Sequence, residues 1–198
     1  MDSLQKALYV YRNKELFEDI HEAKKAFIGM LVNISNRIDL DDLREVHPTH
    51  KGIKISKGNE LEHCPYQVLD VIRDFDPESG LNIRLLHWWG KGMFLFVSIS
   101  RSLFDGKELE KFLKDKNLDG FFISTSSSPF SYKQLVGDYE FKKFPSIDSI
   151  SGRSLLGRFQ LMKKIHYGFD FFETEELLIL ELKRVLFALR VVRNEKKY

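Results

Sequence analysis

The chain has 198 residues, of which 43% are hydrophobic and 30% charged, and 31 basic against 29 acidic residues give a net charge of +2. These values are typical of a globular protein, so we expect residues 1–198 to form a single domain. The small net charge excludes a general electrostatic attraction to nucleic acid or to anionic membranes. A single cysteine, Cys64, excludes an internal disulfide and favours a reducing compartment.

Charges occur throughout the first twenty residues, so the pattern does not predict a signal peptide. No apolar run approaches the roughly 18 residues that a membrane-spanning helix needs. We therefore predict a cytoplasmic protein without a membrane partner.

Helical spacing dominates residues 2–36. Apolar residues recur there every three or four positions: Leu4, Leu8 and Tyr11, then Ala23, Phe27, Met30 and Ile34. Residues 12–14 interrupt the pattern, and Asp19 with Glu22 predicts a capping box for a second helix. The polar residues 39–51 are expected to form a loop.

The next residues predict a short strand and a short helix. Residues 52–56 alternate between apolar and polar side chains, which favours a strand, and residues 57–59 a turn. Pro65 suits the first turn of a helix, so residues 66–75 are expected to be helical, with an extended segment as the alternative.

The stretch from Leu81 to Ser100 predicts a β-hairpin. With Gly90 and Lys91 as a two-residue turn, Trp88 lies opposite Met93, and a three-residue loop would shift the partners by one. Both faces of this ribbon are apolar in either register. That pattern is typical of a central strand pair that is covered on both sides.

After the hairpin, Asp105 with Glu108 predicts a capping box for a helix over residues 106–117. A strand is expected over residues 121–125. Residues 139–144 suit an exposed edge strand, because they contain two lysines, and residues 149–165 favour a further helix.

The clearest helix runs from Thr174 to Arg193. Its apolar positions alternate by four and three, at Leu178, Leu182, Val185, Leu189 and Val192, and its polar face is expected to contain Glu181, Arg184 and Ala188. This helix should pack on the sheet or on the N-terminal helix, with a homodimer seam as the alternative. The elements together predict an α+β fold with a central, mainly antiparallel sheet of about five strands, flanked by N- and C-terminal helices.

Histidines suggest one functional alternative, a metal-assisted hydrolase. The candidate zinc ligands are His47, His50, His63 and His87, with Cys64 nearby. The spacing from His47 to His50 lacks the glutamate and the helix of the H-E-x-x-H zinc motif. Separate core and surface histidines explain the pattern more simply.

Basic residues suggest a second alternative, phosphate or nucleic-acid binding by the C-terminal third. They include Lys142, Lys143, Arg153, Arg158, Lys163, Lys164, Arg190, Arg193, Lys196 and Lys197. A solvated face is the commoner origin of such a run. Two glycines from Gly152 onward are spaced as in a P-loop, but Arg158 and Phe159 stand where that motif needs Lys and Ser or Thr. The sequence therefore identifies no nucleotide site and no cofactor.

The leading hypothesis concerns polar residues around the hairpin. Arg84 in an apolar strand needs a carboxylate partner, and Asp70 or Asp74 would make a structural ion pair with it. The functional interpretation is a cleft whose ligand-binding candidates are Lys54, Arg84, Trp88 and Trp89. No complete catalytic constellation is present, so we expect a noncatalytic protein that binds a small molecule or a protein partner.

Overall fold

The computed structural model describes the backbone of residues 2–124 and 157–194. The helices are α1 (Ser3–Arg12), α2 (Lys14–Asn36), α3 (Leu40–Val46), α4 (Gly106–Leu113) and α5 (Phe171–Asn194). The strands are β1 (Lys54–Leu61), β2 (Cys64–Arg73), β3 (Leu81–Trp88), β4 (Gly92–Ser100), β5 (Phe122–Ser124) and β6 (Arg158–Ile165). Within these two ranges, the search for a helix that could span a bilayer finds none.

The strands form one antiparallel sheet in the order β1-β2-β3-β4-β6-β5. β1 to β4 follow one another as neighbours, β6 pairs with β4, and β5 pairs with β6 at the edge. The hairpin β3–β4 therefore lies in the centre of the sheet, as its two apolar faces predict. The α+β class with an antiparallel sheet and terminal helices is confirmed.

The sheet has apolar side chains on both faces. On the first face, which we call the helix face, α2, α3, α4 and α5 pack against the strands. Together they form one core that includes Met30, Leu43, Leu85, Leu95, Phe112 and Leu182. The opposite side, which we call the second face, carries a smaller cluster of Val68, Leu86, Trp88, Phe94, Phe96 and Met162. Each such buried side chain contributes about 1.5–3 kcal/mol to folding.

The loop between β3 and β4 has three residues, so the predicted two-residue turn is wrong. Trp88 lies opposite Gly92 and not opposite Met93. Gly90 occupies the middle of this loop with a φ of 74°, a left-handed conformation that glycine adopts without strain. Because the strands shift by one residue, Phe94 and Phe96 share the second face with Trp88, where Met93 and Leu95 were predicted.

Two predicted helices are strands. Residues 66–75 lie largely in β2, and residues 158–165 form β6. Both strands have buried side chains on both sides, so their apolar residues do not alternate strictly and match a helical period by chance. The predicted edge strand at residues 139–144 and the start of the predicted helix, residues 149–156, lie outside the described residues.

Smaller boundaries also differ from the prediction. α3 lies within the predicted polar loop of residues 39–51. β1 continues through the predicted turn at residues 57–59. α2 begins directly after Asn13, so the predicted capping box at Asp19 lies inside the helix. The predicted capping box at Asp105, at the start of α4, is confirmed.

The C-terminal helix is confirmed, but of its predicted polar face only Arg184 is exposed. Ala188 is 0% exposed, and Glu181 is nearly buried where its carboxylate meets Lys163 of β6 at 2.8 Å. Leu180 and Phe187 are exposed instead. The predicted apolar stripe is buried in the core, because α5 packs against α2, α3 and α4 over a wide arc.

We expect Ala188→Glu to lower the free energy of unfolding by about 3 kcal/mol or more, because it buries a carboxylate without a partner. Leu180→Glu, at a position that is 47% exposed on the same helix, should change it by about 0.5 kcal/mol at most. Urea unfolding followed by circular dichroism measures both values. An equal decrease in the free energy of unfolding for Ala188→Glu and Leu180→Glu would contradict the placement of α5.

Candidate protein-binding site

Arg84 has the carboxylate partner that its sequence environment predicts. It lies opposite Asp70 in the sheet. Its Nε and Nη2 atoms donate to the two oxygens of Asp70 at 2.7 and 3.1 Å, and Asn82 donates to the same carboxylate at 3.1 Å. Asp70 is 3% exposed. A buried bidentate pair of this kind is a structural contact of the second face.

The side chains of the adjacent tryptophans Trp88 and Trp89 lie on opposite sides of the sheet. Trp88 is 1% exposed on the second face, where its indole N–H donates to the carbonyl of Leu61 at 2.9 Å. Trp89 is half-buried, and its indole N–H donates to Gln67 Oε1 on the helix face at 2.8 Å. Lys54 is exposed on the edge strand β1 and lies opposite Asp70, so it shares the second face with Arg84 and Trp88. Of the four predicted ligand-binding residues, Trp88 is buried and Trp89 lies on the other side of the sheet.

The four histidines proposed as zinc ligands are not brought together. His87 lies in β3, His63 at the tip of the β1–β2 hairpin, and His47 and His50 follow α3. Across residues 2–124 and 157–194, no group of three or more His, Cys, Asp or Glu side chains is placed to hold a metal ion. The predicted metal site thus has no ligand set in this part of the chain.

A Thr–His–Asp group that the sequence does not reveal lies beside α3. Both Asp74 Oδ2 and Thr49 Oγ1 contact the same nitrogen, Nε2 of His47, at 2.7 and 3.1 Å. A catalytic triad needs the acid and the hydroxyl on opposite ring nitrogens. Burial raises the pKa of the Asp74 carboxyl, but hydrogen bonds from His47 and from the N–H of Asp76 outweigh it and hold the pKa below its usual value. The group therefore suits a structural role.

The described basic residues of the C-terminal third do not form one strip. Lys163 meets Glu181 on the helix face, Lys164 lies over the ring of Phe94 on the second face, and Arg190 of α5 pairs with α3. Such opposed positions do not support a continuous phosphate-binding surface. Arg158 of β6 donates to Ser98 Oγ at 3.1 Å and to the carbonyl of Asp76 at 2.6 Å. The other six predicted basic side chains lie outside the described residues: Lys142, Lys143, Arg153, Arg193, Lys196 and Lys197.

Aromatic side chains do converge, at the end of the helix face next to the β3–β4 loop. This aromatic cluster consists of Phe27, His87, Trp89, Tyr167 and Phe171. The ring centre of Phe27 lies 3.8 Å from that of His87, 5.1 Å from that of Phe171 and 6.0 Å from that of Trp89. Tilted rings at these separations attract one another beyond the area that they bury. The cluster thus joins α2, β3 and the start of α5.

His87 belongs to this cluster as an uncharged ring. Its Nδ1 lies 2.8 Å from Gln67 Oε1, which also accepts the indole N–H of Trp89. Since that oxygen is an acceptor, we assign the proton of the neutral imidazole to Nδ1. Burial lowers the pKa of His87 to about 4. The imidazole is therefore neutral at physiological pH and packs against Phe27 like an apolar side chain.

The cluster continues into an exposed segment, residues 167–172, which we call the aromatic loop. Its four rings are 46%, 102%, 45% and 68% exposed, at Tyr167, Phe169, Phe171 and Phe172 respectively. At 150–250 Å² per ring, they present roughly 400–650 Å² to solvent. Burial raises the pKa of Tyr167 to about 12, so this ring is also uncharged. Apolar patches of this size are commonly functional.

Hydrogen bonds to the first turn of α5 fix the backbone of the aromatic loop. Asp170 accepts the N–H of Glu173 at 2.8 Å, and the Glu173 carboxylate accepts the N–H of Phe169. Gly168 donates to the hydroxyl of Thr174 at 3.1 Å. These bonds resemble a capping box whose return bond reaches one residue further back. Phe169 is thus fully exposed although its backbone is held.

The predicted helix begins at Thr174 and therefore leaves the aromatic loop out. A signal was nevertheless present, because Asp170 and Glu173 have the D-x-x-E spacing of a capping box and precede an apolar run. Four aromatic residues within six positions then mark the capped segment. The contact with Phe27 is long-range, and spacing alone does not predict it.

Comparison of the chain with protein-family models, with curated proteins and with solved structures finds no significant match. Its function is therefore inferred from the geometry of its own residues. The feature with the clearest functional geometry is the aromatic loop.

His87 should make the protein sensitive to mild acid. Unfolded histidine binds a proton near pH 6.5, whereas folded His87 does so near pH 4. Its stabilising contribution is therefore complete above pH 6.5 and is lost as the pH falls toward 4, by up to about 3 kcal/mol. Urea titrations across this window measure the effect. The loss should shrink in His87→Gln and persist in His166→Gln, which changes an exposed histidine, and the opposite pattern would contradict the assignment.

Proposed function

We propose that this chain is a noncatalytic protein-binding domain whose aromatic loop enters an apolar pocket of its partner. The observation that carries the proposal is the ring of Phe169, which is 102% exposed while its backbone N–H is held by Glu173. Interface hot spots are enriched in aromatic anchors, and a fixed backbone lowers the entropy lost on binding. The loop combines both properties.

The shape of the loop supports a protein partner over a small molecule. Small ligands bind in concave sites that enclose most of their surface. Phe169 projects fully into solvent, so the concave surface has to belong to the partner. Tyr167 and Phe171 are about half exposed and would form the base of the contact, because their other sides pack on Phe27.

The hydrogen bonding of the buried titratable groups supports a noncatalytic role. His87 bonds to Gln67, and the Thr49 hydroxyl and the Asp74 carboxylate share one nitrogen of His47. The single cysteine, which is free, supports placing this binding function in the reducing cytosol.

We expect Phe169→Ser to weaken partner binding strongly without unfolding the protein. Peptides selected from a random phage-displayed library on the wild-type protein would serve as probes, with affinities measured by fluorescence anisotropy. Loss of a central aromatic anchor should weaken binding about thirtyfold or more, and Phe172→Ser should weaken it less. Phe187→Ser is the matched control, since Phe187 is a 54% exposed phenylalanine on α5 outside the loop.

Peptides that bind Phe169→Ser as well as they bind the wild-type protein would contradict the proposal. The melting temperatures of Phe169→Ser, Phe172→Ser and Phe187→Ser should remain close to that of the wild-type protein, because each change is at an exposed position.

Gly168→Ala tests whether peptide binding depends on the fixed backbone of the aromatic loop. An added Cβ would lie 2.6 and 2.7 Å from the Cγ and Cβ of Glu173, so Glu173 must move and release the N–H of Phe169. We expect a stability loss of about 1 kcal/mol from the damaged cap, together with weaker peptide binding although every aromatic ring is kept. Unchanged peptide affinity would show that the fixed backbone is not needed.

A further inference from the structure

The N-terminal helix has an apolar stripe that nothing in the described part of the chain covers. α1 has ten residues and no buried side chain. Leu4, Leu8 and Tyr11 follow one another at helical spacing and are 69%, 43% and 79% exposed. An isolated helix of this length is marginal in water, and its caps add only about 1 kcal/mol each. A partner surface would stabilise it.

The first turns of α2 extend this exposed surface. Asn13 joins the two helices, since its N–H ends α1 at the Val10 carbonyl and its side chain accepts the N–H of Leu16 in α2. Beside this junction lies a groove of about 550 Å³ whose lining combines the rings of Tyr11 and Phe17 with the cations Arg12 and Lys14 and the acids Glu18 and Glu22. We call residues 3–22 the N-terminal arm.

The two halves of the N-terminal arm carry opposite charge. α1 has the exposed cations Lys6 and Arg12 and no acid, so its net charge is positive. At about 100° per residue, Arg12 flanks the apolar stripe, whereas Lys6 lies on the opposite side of the helix. The first turns of α2 carry four exposed acids, Glu15, Glu18, Asp19 and Glu22, against one lysine, Lys14, which pairs with Glu18 at 3.0 Å, so their net charge is negative. Two copies that pair antiparallel about a two-fold axis therefore place the basic half of each arm against the acidic half of the other.

The apolar area of the arm is sufficient for such a pair. The rings of Tyr11 and Phe17 are 79% and 50% exposed. They contribute roughly 200–320 Å² per copy at 150–250 Å² per ring. With the leucines of α1, two copies approach the roughly 1,000 Å² of total buried surface expected of a biological interface.

We propose that a second copy of this chain covers the N-terminal arm, so that the protein forms a two-fold symmetric dimer through α1 and the first turns of α2. This interface differs from a seam through α5, whose predicted stripe lies in the core. It is also separate from the aromatic loop, so the dimer and the partner site can be tested independently.

Charge reversal gives a sharp test by analytical ultracentrifugation of the full chain. The wild-type protein should show a concentration-dependent dimer. One variant is Arg12→Glu, and the other combines Glu18→Lys with Glu22→Lys. A dimer of either variant with itself has like charges facing each other at both symmetry-related contacts. Each variant should therefore weaken self-association more than about tenfold. An equimolar mixture of the two variants should restore dimers, because both contacts are then complementary.

Phe169→Ser is the control and should leave the dimer unchanged. Circular dichroism should confirm that every variant is folded, as expected for exposed positions. A wild-type protein that is monomeric at every concentration tested overturns the proposal. A dimer that both reversals leave intact, or a mixture that fails to associate, overturns it equally, because the contact then lies elsewhere.

Discussion

The central strands β3 and β4 carry apolar side chains on both faces, so both faces of the sheet have to be removed from water. On the helix face, α2, α3, α4 and α5 share one core with these strands. On the second face, Trp88, Phe94 and Phe96 are at most 1% exposed. Burial at about 1.5–3 kcal/mol per large side chain makes this strand pair the main constraint on the positions of the helices. The aromatic loop is held where it is because α5 has to reach the same core.

Polar residues inside this apolar frame are tolerated only with partners. Arg84 and Asp70 lie opposite each other on the second face, and His87 and Gln67 lie opposite each other on the helix face. Each pair is made by strands β2 and β3 and satisfies groups that would otherwise be buried without hydrogen bonds. Both polar residues that stood out in the hairpin, Arg84 and His87, therefore have buried hydrogen-bond partners, and the exposed apolar side chains for which we propose binding lie outside the sheet.

The sequence predicts those parts of the fold whose spacing is unambiguous, namely the central hairpin, the split of α1 from α2, and α5. It fails for β2 and β6, because strands buried on both sides lose the alternation that distinguishes them from helices. It fails for Ala188, since helical spacing does not reveal how wide an arc other elements bury. Of the site, the capping box at Asp170 was predictable, whereas the approach of Phe27 to the aromatic loop depends on tertiary packing.

The neighbouring tryptophans have a spectroscopic consequence. Trp88 is sealed in the second face, whereas the half-buried indole of Trp89 lies 6.0 Å from the ring of Phe27, which in turn contacts Phe171 of the aromatic loop. The emission wavelength of an indole depends on the polarity of its surroundings. The two tryptophans are therefore separate fluorescent probes on opposite sides of one sheet. The emission of Trp89 can report events at the aromatic loop while Trp88 reports the integrity of the sheet behind it.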